Sequence, residues 1–181
     1  MEITINYGNL KENEINETKE KVRAIIISTD EKLLVANYNG VLLLPGGSID
    51  KNEKKEDALL RELKEELGID YTLNETEFLF TLAFYQKNYP KRNGVTLNRK
   101  VVNHYYIVPF KSIDYNNQTL TEKELNDKFN LQFLSTDEIS EYLQNINTDN
   151  PRFSYFKEEM EIILSNIKKV KDKSYKKFKK N

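Results

Sequence analysis

The chain predicts a mixed α/β fold, one mixed sheet with helices on both faces. Two observations carry this. Short apolar runs rich in β-branched residues alternate along the chain with segments of helical period. Turn residues separate them, at Asn39-Gly40, Pro45-Gly46-Gly47 and Gly68.

Val22 to Ile27 is a run of β-branched and apolar residues and reads as a buried strand. Thr29 to Lys32 is polar and reads as a turn. Leu33 to Tyr38 and Val41 to Leu44 form a hairpin across Asn39-Gly40, a pair suited to the positive φ angles of a two-residue turn. Pro45-Gly46-Gly47 then stops the strand. Glu56 to Leu67 has helical period, and Gly68 supplies its left-handed stop. Phe78 to Gln86 and Val101 to Phe110 are aromatic-rich strands, with Lys87 to Asn98 as the loop between them. Ile113 to Lys128 reads as a polar loop, and Phe129 to Leu134 as a short strand. Ser135 and Glu138 have capping-box spacing and open a helix to about Leu143. Pro151 opens a last helix, whose apolar residues Phe153, Phe156, Met160, Ile163, Leu164 and Ile167 share one face.

Composition limits the chemistry. The 181 residues suit one domain, with no internal repeat or linker. No apolar run reaches the roughly 20 residues a membrane span needs, and Met1 to Ile5 does not resemble a signal peptide. The absence of Cys excludes disulfides, thiolate metal sites and thiol nucleophiles, and fits a cytoplasmic protein. A single His, His104, excludes a multi-histidine metal cage. Any metal must therefore sit among oxygen ligands, which favours hard cations such as Mg²⁺. The formal charge of −1 is uneven, because Lys168 to Asn181 holds eight Lys and one Asp. That run reads as a solvated tail rather than a phosphate-attracting one.

One helix carries the chemical signal. At about 100° per residue, Glu62, Glu65 and Glu66 fall within one arc, beside the leucines 59, 60, 63 and 67. Three like charges within a turn repel each other, and Lys64 falls on the far side. A divalent cation would relieve the repulsion. The Pro45-Gly46-Gly47 turn brings small residues and backbone carbonyls to the same place. Carboxylates with a carbonyl make a site that leaves room for water and phosphate oxygens around Mg²⁺.

The stretch Gly47-Ser-Ile-Asp-Lys-Asn-Glu53, then Arg61-Glu62-Leu63-Lys64-Glu65-Glu66-Leu67-Gly68-Ile69, resembles the complete signature box of the Nudix hydrolase family. Leu44-Pro45-Gly46 is similar to the family's lead-in. The resemblance covers residues 22–146. It leaves 1–21 as an N-terminal extension and 147–181 as a C-terminal helix with a lysine-rich tail. It implies a Nudix-type α/β/α sandwich with a central mixed sheet, plus that extra helix. It also implies that Glu62, Glu65, Glu66 and the Gly47 carbonyl hold Mg²⁺ or Mn²⁺. Glu53 and Arg61 match the pair that ties the loop to the helix. A further acid from a downstream loop is common in the family, and Glu122, Glu124 and Asp127 are candidates.

The implied activity is metal-dependent hydrolysis of a diphosphate bond in a nucleoside-diphosphate-linked compound. The products would be a nucleoside monophosphate and a phosphorylated fragment. Arg23 and Glu124 are candidate substrate contacts. Tyr85 is another, at the spacing beyond Ile69 that marks diadenosine polyphosphate hydrolases in the family. No Pro stands there, which disfavours the ADP-ribose subgroup. His104 reads as a core residue. The expected partner is a small nucleotide, with no membrane, and a homodimer is compatible. Two alternatives are an RNA 5′-end pyrophosphohydrolase and a nucleotide-sensing module without turnover. The charge balance counts against the first and the intact glutamates against the second. An isopentenyl diphosphate isomerase-like activity would need a Cys.

Overall fold

The structure is a computed structural model that describes residues 1–91, 94–147 and 151–178, with the side chains of 153–167 and 170 in the last of these. The lysine-rich tail lies outside the described side chains. Two sheets form the middle layer. The first is mixed and runs β1-β5-β6-β2, from β1 (Glu2–Ile5), β5 (Glu77–Pro90), β6 (Thr96–Ile107) and β2 (Glu17–Ile25). β1 pairs parallel with β5, β5 antiparallel with β6, and β6 parallel with β2. The second sheet is antiparallel and runs β4-β3-β7, from β4 (Val41–Leu43), β3 (Leu33–Tyr38) and β7 (Asn130–Leu134). Among the described residues there are four α-helices: α1 (Lys55–Leu67), α2 (Glu122–Asn126), α3 (Thr136–Asn145) and α4 (Pro151–Phe178). Among the described residues, no helix is long and apolar enough to cross a membrane.

Strand alternation builds two cores. Val22, Ala24, Ile26, Leu34 and Ala36 face α1, where they pack against Ala58, Leu59, Leu63 and Leu67. Ile25, Leu33 and Val35 point the other way, toward Ile139 and Leu143 of α3 and Met160, Ile163 and Val170 of α4. Each strand is buried on both faces here, so it reads as a continuous apolar run. The result is the expected α/β/α sandwich, with its sheet divided in two.

The elements around the signature box form as their residues dictate. Asn39 and Gly40 both take positive φ, 49° and 86°, as a two-residue hairpin turn requires. α1 ends at Gly68, whose φ of 71° lets its N–H bond the carbonyl of Lys64. Ser135 caps α3 by accepting from Glu138 N, while the Glu138 carboxylate bonds back to Ser135 N at 2.7 Å.

Four expectations change. The first strand begins at Glu17 instead of Val22, because Glu17 to Lys21 pair with Arg99 to Asn103 of β6. The N-terminal extension contributes β1, whose Glu2 to Ile5 register with Thr81 to Phe84. The long loop between the aromatic strands is shorter than predicted, because Tyr89 and Pro90 still pair with Leu97 and Thr96 after an irregularity beyond Gln86. The polar loop before β7 also folds one short helix, α2, capped by Thr121.

Candidate active site

The site forms where β2, the turn after β4 and α1 meet. β2 holds this turn by backbone bonds: Ala24 N donates to Pro45 O at 2.8 Å, and Val22 N to Gly47 O at 3.0 Å. Gly46 needs to be glycine. Its φ is 124°, and a Cβ there would strike the Val22 carbonyl. Gly47 needs to be small for another reason, since a Cβ would overlap the Glu62 carboxylate.

The carboxylates of α1 do not share one environment. Glu66 is buried and accepts from Gly46 N at 2.7 Å and from the Tyr38 hydroxyl at 2.5 Å. Burial pushes its pKa up to about 8, against the pull of these two bonds. Glu62 is also buried and raised by desolvation, opposed by Arg61. Glu65 is part-exposed and opens on the cleft. Arg61 ties the group together. Its Nε and Nη2 meet both oxygens of Glu53 at 2.8 and 2.9 Å, a bidentate pair. Nη1 reaches Glu62 at 2.9 Å and Glu65 at 3.3 Å, and Nη2 also donates to the Ser48 carbonyl at 3.0 Å. The bonds from Arg61 hold Glu53 below the usual carboxylate range.

In this arrangement no three acidic or imidazole groups among the described residues converge on one point. The physical reason is visible in the bonds. Each carboxylate is bonded to a nearby donor instead: Arg61 for Glu62 and Glu65, and Gly46 N with Tyr38 for Glu66. The residues nonetheless fit a divalent ion. Arg61 balances Glu53, and among the described residues no second cation bonds Glu62, Glu65 or Glu66. Two of these are buried and raised by desolvation. The Glu62 carboxylate also fills the space where a Gly47 side chain would stand, so a carboxylate and the glycine backbone lie together. The donor set is all oxygen, which suits a hard cation.

A cleft of about 1180 Å³ opens beside these groups. Its acidic wall is α1. Its opposite wall is the face of the first sheet carrying Lys19, Lys21, Arg23, Arg99 and Asn103. Phe153, Phe156 and Glu159 of α4 also line it, as do Glu124 and Asp127.

The remaining expected residues separate clearly. Arg23 is buried, not solvated at a strand edge. Its Nη1 donates to the carbonyls of Leu44 at 3.1 Å and Gly46 at 2.5 Å, and its Nε lies 3.7 Å from Glu159. The guanidinium thus supports the glycine turn. Glu124 lines the cleft, and its Oε2 accepts from Thr121 N at 2.7 Å and from Thr121 Oγ1 at 2.8 Å. Glu122 is not among the cleft-lining residues. Tyr85 is also absent from the cleft. Alternation turns it to the other face of β5, where its hydroxyl bonds Glu12 and Lys100 lies over its ring. His104 is half-buried between Thr81 and Glu20, at 3.3 and 3.2 Å, away from the cleft.

Sequence reasoning missed Lys21 and Asn103. Lys21 is half-buried, and burial lowers its pKa to about 8, with Arg23 pushing the same way. Asn103 is its cross-strand partner and is 2% exposed. The even spacing of Lys19, Lys21 and Arg23 was the available signal, because it places three cations on one strand face.

A sandwich of this layout, with a carboxylate-bearing helix packed on a glycine turn, defines the class. A family model described as the NUDIX domain matches residues 18–156, and the chain belongs to that family. Among curated relatives, an 8-oxo-dGTP diphosphatase of Proteus vulgaris is 48% identical over 42 residues, which is 23% of this chain and 38% of that protein. A CTP pyrophosphohydrolase of Escherichia coli (strain K12) is 39% identical over 61 residues, 30% of this chain and 45% of that one. The matches thus span less than half of either relative. Similar solved structures include an Ap4A hydrolase of C. elegans, at 12% identity and TM-score 0.48, covering 82% of this chain and 98% of that one. A MutT protein from Bacillus halodurans gives 16% identity and TM-score 0.48, with 77% and 80% covered.

Proposed function

We propose that the chain hydrolyses a diphosphate bond in a nucleoside-diphosphate-linked compound, with a divalent cation held by Glu62, Glu65, Glu66 and the Gly47 carbonyl. The observation that carries this is the excess of carboxylate around Arg61, two of the groups buried, at the edge of a cleft whose far wall is cationic. Divalent metal is also a general feature of the family. Mg²⁺ is the ion we assign, with Mn²⁺ as a substitute. Such an ion supplies charge neutralisation on the phosphates and activation of water.

The chain's own residues do the rest. Arg61 fixes the loop against the helix through Glu53 and Ser48. Arg23 holds the carbonyl side of the glycine turn. Glu124 is the acceptor we assign for the proton of the attacking water. Thr121 holds its Oε2, which leaves Oε1 for the proton. The named activities of the two curated relatives, on 8-oxo-dGTP and on CTP, support nucleotides as the substrate class.

The test is a panel of nucleoside triphosphates and nucleoside-diphosphate-linked compounds, incubated with Mg²⁺ or Mn²⁺, with products identified by mass. We expect a nucleoside monophosphate to form, and to stop forming in excess chelator. Full turnover in chelator would contradict the reading. So would no turnover across the panel.

A further inference from the structure

The sheet wall of the cleft carries more positive charge than it uses internally. Lys19 and Lys91 both reach Glu17, at 3.8 and 3.1 Å. Arg99 donates to Gln86 at 2.7 Å and stacks on Tyr89, 3.4 Å from the ring centre. Arg23 is engaged with the glycine turn and Glu159. Lys21 differs. No hydrogen-bond or ion-pair partner is found for its ammonium among the described residues. The charges that act on it most strongly include the cations Arg23, Arg99 and Lys123, with Glu159 opposing them. An ammonium held half-buried among cations is costly unless an anion joins it.

A second observation stands beside it. Asn103 is the cross-strand partner of Lys21. It is 2% exposed and lines the cleft, and its Oδ1 has no hydrogen-bond partner among the described residues. Its Nδ2 makes one long bond, 3.4 Å, to the Tyr105 hydroxyl. A buried carbonyl oxygen without a donor is as anomalous as a buried ammonium without an acceptor. The two lie on adjacent strands, roughly 5 Å apart at the backbone. One ligand that carries an anion and, a few bonds away, an O–H or N–H would satisfy both.

The location fixes the rest. Lys21 bridges to Ser48, the residue after Gly47, so this pair stands across the turn from Glu62. Phe84, Tyr89 and Phe156 line the same cleft. We propose that Lys21 and Asn103 form a two-point seat for a nucleoside phosphate: Lys21 takes a phosphate outside the carboxylate cluster, and Asn103 Oδ1 accepts from a hydroxyl or amine of the nucleoside. The proposal rests on the nucleotide reading of the site, but its test does not need turnover.

The experiment is calorimetric titration of the full chain with adenosine 5′-monophosphate and with inorganic phosphate, both in chelator. Wild type should bind both. Lys21→Met should weaken both by about tenfold or more, the loss of one charge-assisted bond. Lys21→Arg should restore most of the affinity for both. Asn103→Leu should weaken adenosine monophosphate and leave inorganic phosphate unchanged. 2′-Deoxyadenosine monophosphate, added as a third probe, separates a sugar hydroxyl from a base amine as the group on Asn103, and either result keeps the seat. Unchanged affinity in Lys21→Met, or no binding by the wild type, would overturn it. If these losses appear while no compound is hydrolysed, the seat stands and the hydrolase reading fails. If hydrolysis occurs and Lys21→Met binds normally, only the seat fails.

Discussion

The two walls of the cleft hold opposite charge by opposite means. At α1, Glu62 and Glu65 of the helix and Glu53 just before it all bond the Arg61 guanidinium, and Glu66 lies buried beside them. On the sheet, cations outnumber carboxylates, and most find neutral or shared partners. Each wall carries an excess of one sign of charge. Folding alone would not select either, so the charge on both is there for something the fold does not contain. The acidic wall is suited to a cation, and the basic wall to the anion that the cation accompanies.

The largest effects are expected at the two adjacent glycines. Gly47→Ala would place a methyl group on the Glu62 carboxylate, which is the movable end of a side chain. The chain should fold, with turnover down about 10²-fold, the scale of losing one strong electrostatic contribution. Gly46→Ala would meet the Val22 carbonyl, which is backbone, at a φ of 124°. It should cost roughly 2 kcal/mol or more in stability. Denaturant titration beside an activity assay separates the two. Equal stability losses would mean that Gly47 is only a structural glycine.

Arg61→Ala comes next, because it removes the one residue common to the acidic wall. It would leave Glu53 and Glu62 without their partner, at a cost of roughly 2–3 kcal/mol with part-exposed groups. The pH dependence follows from Glu53. Its pKa is depressed in the folded state, mainly by its bonds from Arg61. The pair therefore stabilises the fold fully above the usual carboxylate range, and that stability fades as pH falls through the lowered value. Wild type and Arg61→Ala should converge in stability in acid, as followed by urea midpoints at several pH values. A gap that stays constant down to pH 3 would contradict this role.

The smallest effect has the opposite sign. Lys21 has a folded-state pKa of about 8, below its ordinary value, chiefly through burial. The charged form is thus disfavoured by folding, and the penalty is present in full below pH 8 and disappears as pH rises toward the unfolded value. Lys21→Met should be about 1 kcal/mol more stable than wild type near neutrality, a rise of a few degrees in Tm, and the gain should shrink at high pH. A loss of stability would mean that the lysine is held by partners other than a ligand.

Much of this was legible in the sequence, and unevenly so. The signature box, the Asn39-Gly40 hairpin and the Gly68 stop each rest on local chemistry, and each appears where expected. β1 and the first half of β2 were hidden. Glu17 to Lys21 alternate charge without apolar period, and their strand identity comes from pairing with Arg99 to Asn103, far along the chain. The separation of Tyr85 from the cleft depends on strand register, which spacing in sequence does not fix. Arg23 read as a candidate substrate contact, because its bonds to Leu44 and Gly46 and its approach to Glu159 involve residues far from it in sequence. The acidic face of α1 was foreseen, whereas the inward turn of Glu66 toward Tyr38 and Gly46 N was not.

Paired measurement of Glu65→Gln and Glu66→Gln tests whether the α1 carboxylates hold a catalytic cation. Each substitution keeps side-chain size and helix propensity while removing one negative charge. Turnover of the best substrate from the panel should fall by at least about 10²-fold in both variants. Mg²⁺ should raise the Tm of the wild type, because it binds the folded state alone, and should raise that of the variants much less. Near wild-type turnover in both variants, with an undiminished Mg²⁺ shift in Tm, would mean that these carboxylates do not hold the catalytic cation.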